Sequence, residues 1–135
     1  MNRKIIVLAV VVVVLLSFGS VHAFEFEPMA LQYLRTGTTD LGPGSGSSVY
    51  VYGNTLAKQT VSFVEITVVL QQFKNGAWVD IWSDRVVRQN ASSATIDRLV
   101  NVQRGFHYRV YGMHRVTHNG VTEILDSQTG TWYFN

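Results

Sequence analysis

Hydrophobic and polar residues alternate along most of the chain after residue 47. In residues 48–53 valine alternates with tyrosine, and in residues 61–73 valine, isoleucine and leucine alternate with glutamate, threonine and glutamine. A period of two is typical of a β-strand that has one buried face. After residue 23 no stretch shows the 3.6-residue period of an amphipathic helix. The pattern therefore predicts an all-β protein.

Two Asn-Gly pairs mark hairpins between neighbouring strand patterns. Asn75-Gly76 and Asn119-Gly120 fit type I′ turns, in which both central residues need positive φ. Strands are expected at residues 30–34, 48–53, 61–73, 77–88, 95–102 and 106–116, and an interrupted last strand at 121–126 and 130–134. A flexible loop is expected up to residue 46 and a polar loop at residues 89–94. About seven antiparallel strands with turns at this spacing favour a β-sandwich.

Tyr108 carries the most specific signal of the fold. It follows Val102 by six residues across a turn at Gly105, and it precedes Val110 by two. This spacing resembles the tyrosine corner of immunoglobulin-like and fibronectin type III domains, in which the phenol bonds back to the backbone of the turn. Val110 stands where an immunoglobulin domain carries its second cysteine. The resemblance, which covers about residues 29–134, therefore implies a sandwich without disulfides.

The first 23 residues have the composition of a secretory signal peptide. Residues 1–4 carry two positive charges, residues 5–16 form an unbroken apolar run, and residues 17–23 are small or polar and end in Val21-His22-Ala23. We expect cleavage after Ala23, because the apolar run has the length of a signal core and is short for a bilayer. This leaves residues 24–135 as one domain. Retention of the segment as a membrane anchor is the alternative.

Charge and cysteine content exclude several classes of protein. Without Arg3 and Lys4, nine basic residues balance nine acidic ones, and no run of lysine or arginine remains. Such a chain offers no electrostatic footprint for nucleic acid or for an anionic membrane. The chain has no cysteine, so it has no disulfide, no thiolate zinc site and no cysteine nucleophile. Export without disulfides fits a bacterial protein.

A narrower resemblance joins several short motifs along the chain. The motifs follow the signal segment and are Tyr50 to Gly53, Val68-x-Leu70-Gln71, Asn75-Gly76-x-Trp78, Gly105-x-x-Tyr108-Arg109-Val110-x-Gly112-x-His114 and Asn119-Gly120-x-x-Glu123. Together they resemble a group of small secreted proteins of unknown function from Gram-positive Firmicutes. The resemblance implies secretion and a β-sandwich, and it brings no catalytic residue and no established ligand.

The histidines are the main candidates for chemistry. His107 and His114 are seven residues apart in one predicted strand, so they lie on opposite faces and cannot share a metal ion. No set of three or four zinc ligands is apparent, and we expect neither a metal nor a cofactor. His114 has the inward parity of Tyr108, which favours a hydrogen-bonded histidine in the core. A hydrolase that uses His107 or His114 with a nearby carboxylate, or a Ser127–His114 pair beside Asp126, is the alternative.

A candidate contact surface follows from strand parity. Trp78 and Trp82 share one face of residues 77–88, opposite Val79 and Ile81, and they are predicted to point outward. The alternative with the same alternation places both rings inside and exposes Val79 and Ile81. In residues 106–116, Arg109, Tyr111 and Arg115 share the face opposite Tyr108. Outward aromatic and arginine side chains suit stacking on sugars or burial against a partner protein.

The sequence as a whole favours a secreted, non-enzymatic binding module. Its expected partner is a protein or a glycan of the cell wall, and its expected location is extracellular or associated with the cell envelope. A small secreted hydrolase and a membrane-tethered extracellular domain are the two alternatives.

Overall fold

The computed structural model describes residues 30–135, and these residues form an antiparallel β-structure without helices. Its strands are β1 (Leu34–Pro43), β2 (Ser48–Lys74), β3 (Ala77–Asn101), β4 (Phe106–His118), β5 (Val121–Gln128) and β6 (Trp132–Phe134). The predicted all-β class is therefore confirmed. The predicted signal segment, residues 1–23, lies outside the described residues.

β2 and β3 form one long hairpin that is bent in the middle. Their pairing is interrupted between Leu56 and Val61. A Cβ atom added to Gly53 would be only 2.5 Å from the Cγ1 of Val68 in the same strand. A straight strand would hold these two residues about 50 Å apart, so β2 folds back on itself between them.

The bend divides the curled sheet into two layers that pack face to face. The small layer contains β1, residues 48–57 of β2 and residues 93–101 of β3. The large layer contains residues 77–90 of β3, residues 61–74 of β2, β4, and then β5 and β6, which both pair with β4. Alternate residues of β2 and β4 point between the layers and form much of the core: Val64, Ile66, Val68, Leu70, Tyr108, Val110 and Val116.

Two predicted loops are strands instead. Residues 36–43 pair with β2, and the lack of a side chain at Gly37 leaves the space that the His114 ring occupies. A Cβ atom on Gly37 would lie 2.2 Å from the imidazole Cδ2. Residues 89–94 continue β3 through its bend, where Asn90 adopts a φ of 48°. The polar residues 89–94 therefore form a bend within one continuous strand. The prediction that they form a loop between two strands was wrong.

The two Asn-Gly hairpins and the Tyr108 hydroxyl have the geometry that the sequence predicts. φ is 53° at Asn75 and 78° at Gly76, and it is 49° at Asn119 and 75° at Gly120. The hydroxyl of the fully buried Tyr108 donates to the carbonyl of Gln103, 2.5 Å away in the preceding turn.

The carboxylate of Glu123 holds the chain where it enters the domain. It accepts hydrogen bonds from the backbone N–H groups of Gln32, Tyr33 and Leu34, at 2.5, 2.9 and 2.7 Å. Desolvation would raise the pKa of Glu123, but these three donors and Lys58 hold it below its ordinary value. This point lies at the end of the domain opposite the Asn75-Gly76 turn, because Glu123 pairs with Val116 near one end of β4 and Phe73 pairs with His107 near the other.

Candidate functional site

Four aromatic side chains form a row across the outer face of the large layer. In the strand register Phe73 lies opposite Trp78 on one side and opposite His107 on the other, and His107 lies opposite Tyr133. Residues directly opposite in adjacent strands point to the same face. We call these four residues the aromatic row.

The rings of the aromatic row touch in two pairs. The centroids of Phe73 and Trp78 are 5.2 Å apart, and those of His107 and Tyr133 are 4.9 Å apart. Phe73 is 41% exposed and Tyr133 is 48% exposed. Because neighbouring strands lie about 4.8 Å apart, the four-strand row is about 14 Å long. It is therefore a narrow apolar strip open to solvent.

A polar network lies beside the aromatic row. Arg109 donates from Nε to the Gln71 side-chain oxygen at 2.7 Å, and the Gln71 amide nitrogen donates to Oδ1 of Asp80 at 2.7 Å. The Arg109 guanidinium lies over the Trp78 ring, 4.2 Å from its centroid. Stacking and the Nε bond orient the guanidinium, and within residues 30–135 its terminal nitrogens make no hydrogen bond. We call Asp80, Gln71 and Arg109 the polar network.

Tyr111 and Arg115 lie on the same outer face but farther from the aromatic row. Tyr111 borders a shallow cleft of about 420 Å³ together with the polar network. The nearby Asp126 carboxylate, together with partial desolvation, raises the pKa of Tyr111. Arg115 lies farther along, and its buried Nε has no hydrogen-bond partner within the described chain. The predicted surface is therefore continuous only from Trp78 through Arg109 to Tyr111.

Glu65 lies next to Arg115 and forms the strongest ion pair of this face. Arg85 donates from Nε and Nη2 to its two carboxylate oxygens, at 2.7 and 2.9 Å. The hydrogen bonds from Arg85, together with the charges of Arg85 and Arg115, hold the pKa of Glu65 below its ordinary value despite desolvation. At the far end of the outer face Glu65 and Arg85 are therefore paired with each other, and Arg115 adds a positive charge beside them.

Trp82 does not lie on this surface, and the prediction that it points outward with Trp78 was wrong. The register shifts between Leu70 and Gln71, so that Ile81 is an extra residue on β3. Such a bulge reverses the alternation of side chains. Trp78 therefore stays outward opposite Phe73, whereas Trp82 lies opposite Leu70 and packs against the core. Val79 and Ile81, expected inside, are 46% and 40% exposed.

Strand parity predicts His107 on this face, whereas Phe73 and Tyr133 were not among the predicted residues of the surface. A signal for Phe73 was present, because a two-residue turn at Asn75-Gly76 pairs the flanking residues and then pairs Phe73 with Trp78. Tyr133 had no such signal. Pairing with β4 ends at Gln128 in β5 and resumes at Trp132 in β6. No recognisable turn motif marks the segment between these two strands.

His114 is buried in a chain of hydroxyl groups between the two layers. Its Nδ1 is 2.8 Å from the Thr55 hydroxyl, which donates to the carbonyl of Glu65, and its Nε2 is 2.7 Å from the Ser127 hydroxyl. Because Thr55 uses its proton on the carbonyl, His114 donates from Nδ1 to Thr55. The Ser127 hydroxyl, which is next to Nε2, also lies 3.1 Å from the Thr39 hydroxyl. Desolvation lowers the pKa of His114, although Asp126 opposes the shift. The side chain of His114 is fully buried, whereas that of Ser127 is half-buried.

Residues 30–135 contain neither a cluster of metal-ligating side chains nor a helix that could span a membrane. No group of three or more histidine, cysteine, aspartate or glutamate side chains is arranged to hold a metal ion there. The same residues include no helix that is long and apolar enough to span a membrane.

Comparison with known proteins gives structural similarity only. No protein-family model and no curated protein matches the chain. The chain is similar to the solution structure of the Arabidopsis thaliana protein AT1g01470, with 11% identity and a TM-score of 0.45 over 85% of this chain and 89% of that one. It is also similar to the crystal structure of a protein from Archaeoglobus fulgidus, with 11% identity and a TM-score of 0.38 over 76% of this chain and 98% of that one. Neither similarity is close enough to assign a function.

Proposed function

We propose that the chain is an exported, non-enzymatic binding module whose contact surface is the aromatic row with the polar network. The observation that supports this most directly is the row itself. Soluble domains seldom align large apolar side chains on an exposed sheet face without a partner, because removing such a strip from water lowers the free energy.

An immunoglobulin-like or fibronectin type III-like sandwich is part of this proposal. The bends in β2 and β3 divide six strands into a three-stranded and a four-stranded layer, and β5 and β6 together fill one strand position beside β4. The bond from Tyr108 to the turn carbonyl of Gln103 supports the same architecture.

Burial of His114 supports a binding role over hydrolysis. A serine hydrolase needs its nucleophile and histidine at a surface that a substrate reaches, and it usually needs a carboxylate to orient the histidine. In this chain a threonine hydroxyl occupies the position of that carboxylate, next to the Nδ1 of His114. His107, the other histidine considered for catalysis, contacts Tyr133 within the aromatic row.

Export rests on residues 1–23, and the partner follows from the expected location. The composition of that segment and the resemblance to small secreted Firmicutes proteins both favour secretion or association with the cell envelope. A glycan of the cell wall or another envelope protein is therefore the expected partner.

Retention of the secreted protein on purified Gram-positive cell walls tests this proposal. Phe73→Ala and Tyr133→Ala remove exposed rings, so both should fold normally and lose retention. Leu99→Ala is a matched control, because Leu99 is 60% exposed and lies on β3 in the small layer. Retention of both row variants at the level of the control would exclude the aromatic row as the contact surface.

A further inference from the structure

We infer that the aromatic row and the polar network together bind an uncharged glycan chain that lies across the strands of the large layer. This inference rests on the proposed function and names the class of ligand for the same surface.

The apolar half of the site fits the faces of sugar rings. Aromatic rings offer rigid apolar area with few rotatable bonds, and the C–H groups on one face of a pyranose ring can pack against them. The row runs perpendicular to the strands and is about 14 Å long, which accommodates roughly three pyranose rings end to end. Phe73 and Tyr133 contribute exposed hydrocarbon rings to this strip.

The polar half fits the hydroxyl groups at the edges of those rings. Arg109 and Asp80 stand at opposite ends of the polar network, and Gln71 joins them through hydrogen bonds of 2.7 Å. The guanidinium presents donors in a planar fork, and the carboxylate presents acceptors. Neighbouring sugar hydroxyls both donate and accept, so they can pair with either end without a net charge.

Charge balance favours an uncharged ligand. Asp80 and Arg109 cancel each other beside the aromatic row, and Glu65 and Arg85 pair farther along the same face. An acidic glycan would bring its charges next to Asp80, whereas a basic peptide would bring its charges next to Arg109. The flat, open shape also suits an extended chain more than a single small molecule.

Titration calorimetry with soluble oligosaccharides tests the inference. The secreted protein is titrated with N-acetylglucosamine oligomers of two to six units, and with galacturonic acid oligomers as the acidic comparison. We expect affinity for the neutral series to rise up to about three units and then to level off. Phe73→Ala, Tyr133→Ala and Gln71→Ala should each weaken binding about tenfold, which equals about 1.4 kcal/mol. Leu99→Ala should bind as the parent does, and equal unfolding midpoints would show that all four variants fold.

The outcomes separate the ligand class from the proposed function. Failure of the neutral oligomers to bind, with wall retention still dependent on Phe73 and Tyr133, would overturn the glycan and point to a protein partner. Binding of the acidic series alone would overturn the uncharged class. Neutral binding that is unchanged in all three site variants would place the glycan elsewhere on the molecule. If retention is also independent of the row, the proposed function fails as well.

Discussion

The Tyr108 hydroxyl connects the large layer to the turn before β4. It donates to the carbonyl of Gln103 at 2.5 Å and accepts from the side-chain nitrogen of Gln72 at 3.0 Å. Tyr108→Phe removes both bonds and leaves a buried amide donor without its partner. We expect the free energy of unfolding to fall by about 1–3 kcal/mol in urea denaturation. The exposed Tyr133→Phe is the control, and an unchanged midpoint and slope for Tyr108→Phe would show that the bond contributes nothing.

His114 should make the stability of the protein depend on pH. Burial lowers its pKa in the folded state, whereas the unfolded chain titrates near the ordinary value of about 6.5. Between those two values the unfolded chain binds a proton that the folded protein does not. The free energy of unfolding should therefore fall as the pH drops below about 6.5, by at most about 1.4 kcal/mol per pH unit, and level off below the folded pKa.

Urea denaturation at pH 7.5, 6.5 and 5.5 measures this slope. Substitution His114→Asn should abolish the slope, although it also lowers stability, and the exposed His107→Asn should retain it. The lowered pKa values of Glu65 and Glu123 act in a separate window. Their contribution to the free energy of unfolding is complete at a pH above their ordinary pKa of 4.5. It is lost as the pH falls through their lower pKa values in the folded protein. A slope that survives in His114→Asn would assign the dependence to another group.

At the scale of elements, the bend in β2 depends on close contact between its own halves. A Cβ atom on Gly53 would lie 2.5 Å from Val68 Cγ1 and 3.0 Å from Ile66 Cγ1. Gly53→Ala should therefore force the layers apart and cost about 1–3 kcal/mol of stability. Gly42→Ala is the matched control, because Gly42 lies in the same layer and no heavy atom is within 4 Å of its added Cβ. Equal unfolding midpoints for the two variants would contradict this account of the packing.

Alternation along the chain predicted which residues of β2 and β4 are buried, because each of those strand segments keeps a strict period of two. The Asn-Gly pairs predicted the hairpins, because few other dipeptides accept positive φ at both positions. Alternation failed on β3 for a physical reason. The bulge at Ile81 inserts one residue without any glycine or proline to mark it, and this moves Trp82 to the opposite face from Trp78. The aromatic row also depends on pairing between distant strands, which no local pattern encodes.

At the scale of the whole molecule, the mature chain is expected to begin at Phe24. Cleavage after Ala23 removes Arg3 and Lys4 and leaves a chain with balanced formal charge. Mass spectrometry of the culture medium should therefore find a protein that starts at Phe24. Recovery of the intact chain from washed membranes, with none in the medium, would favour the anchored alternative. The described domain begins only a few residues later, so either outcome leaves its fold unchanged.

The hydrogen bonds from the backbone of residues 32–34 to Glu123 determine how the domain would respond to a pulling force. They fix residues 32–34 at one end, and the aromatic row lies about 30 Å away at the other end, by the rise along β4. A pull between residue 30 and a ligand on the row would run along the strand axes. It would load the ladder from Leu34 to Pro43 in shear, so that its hydrogen bonds share the force and cannot open one at a time. Under such a load the domain should therefore not unfold by opening the hydrogen bonds of β1 one after another.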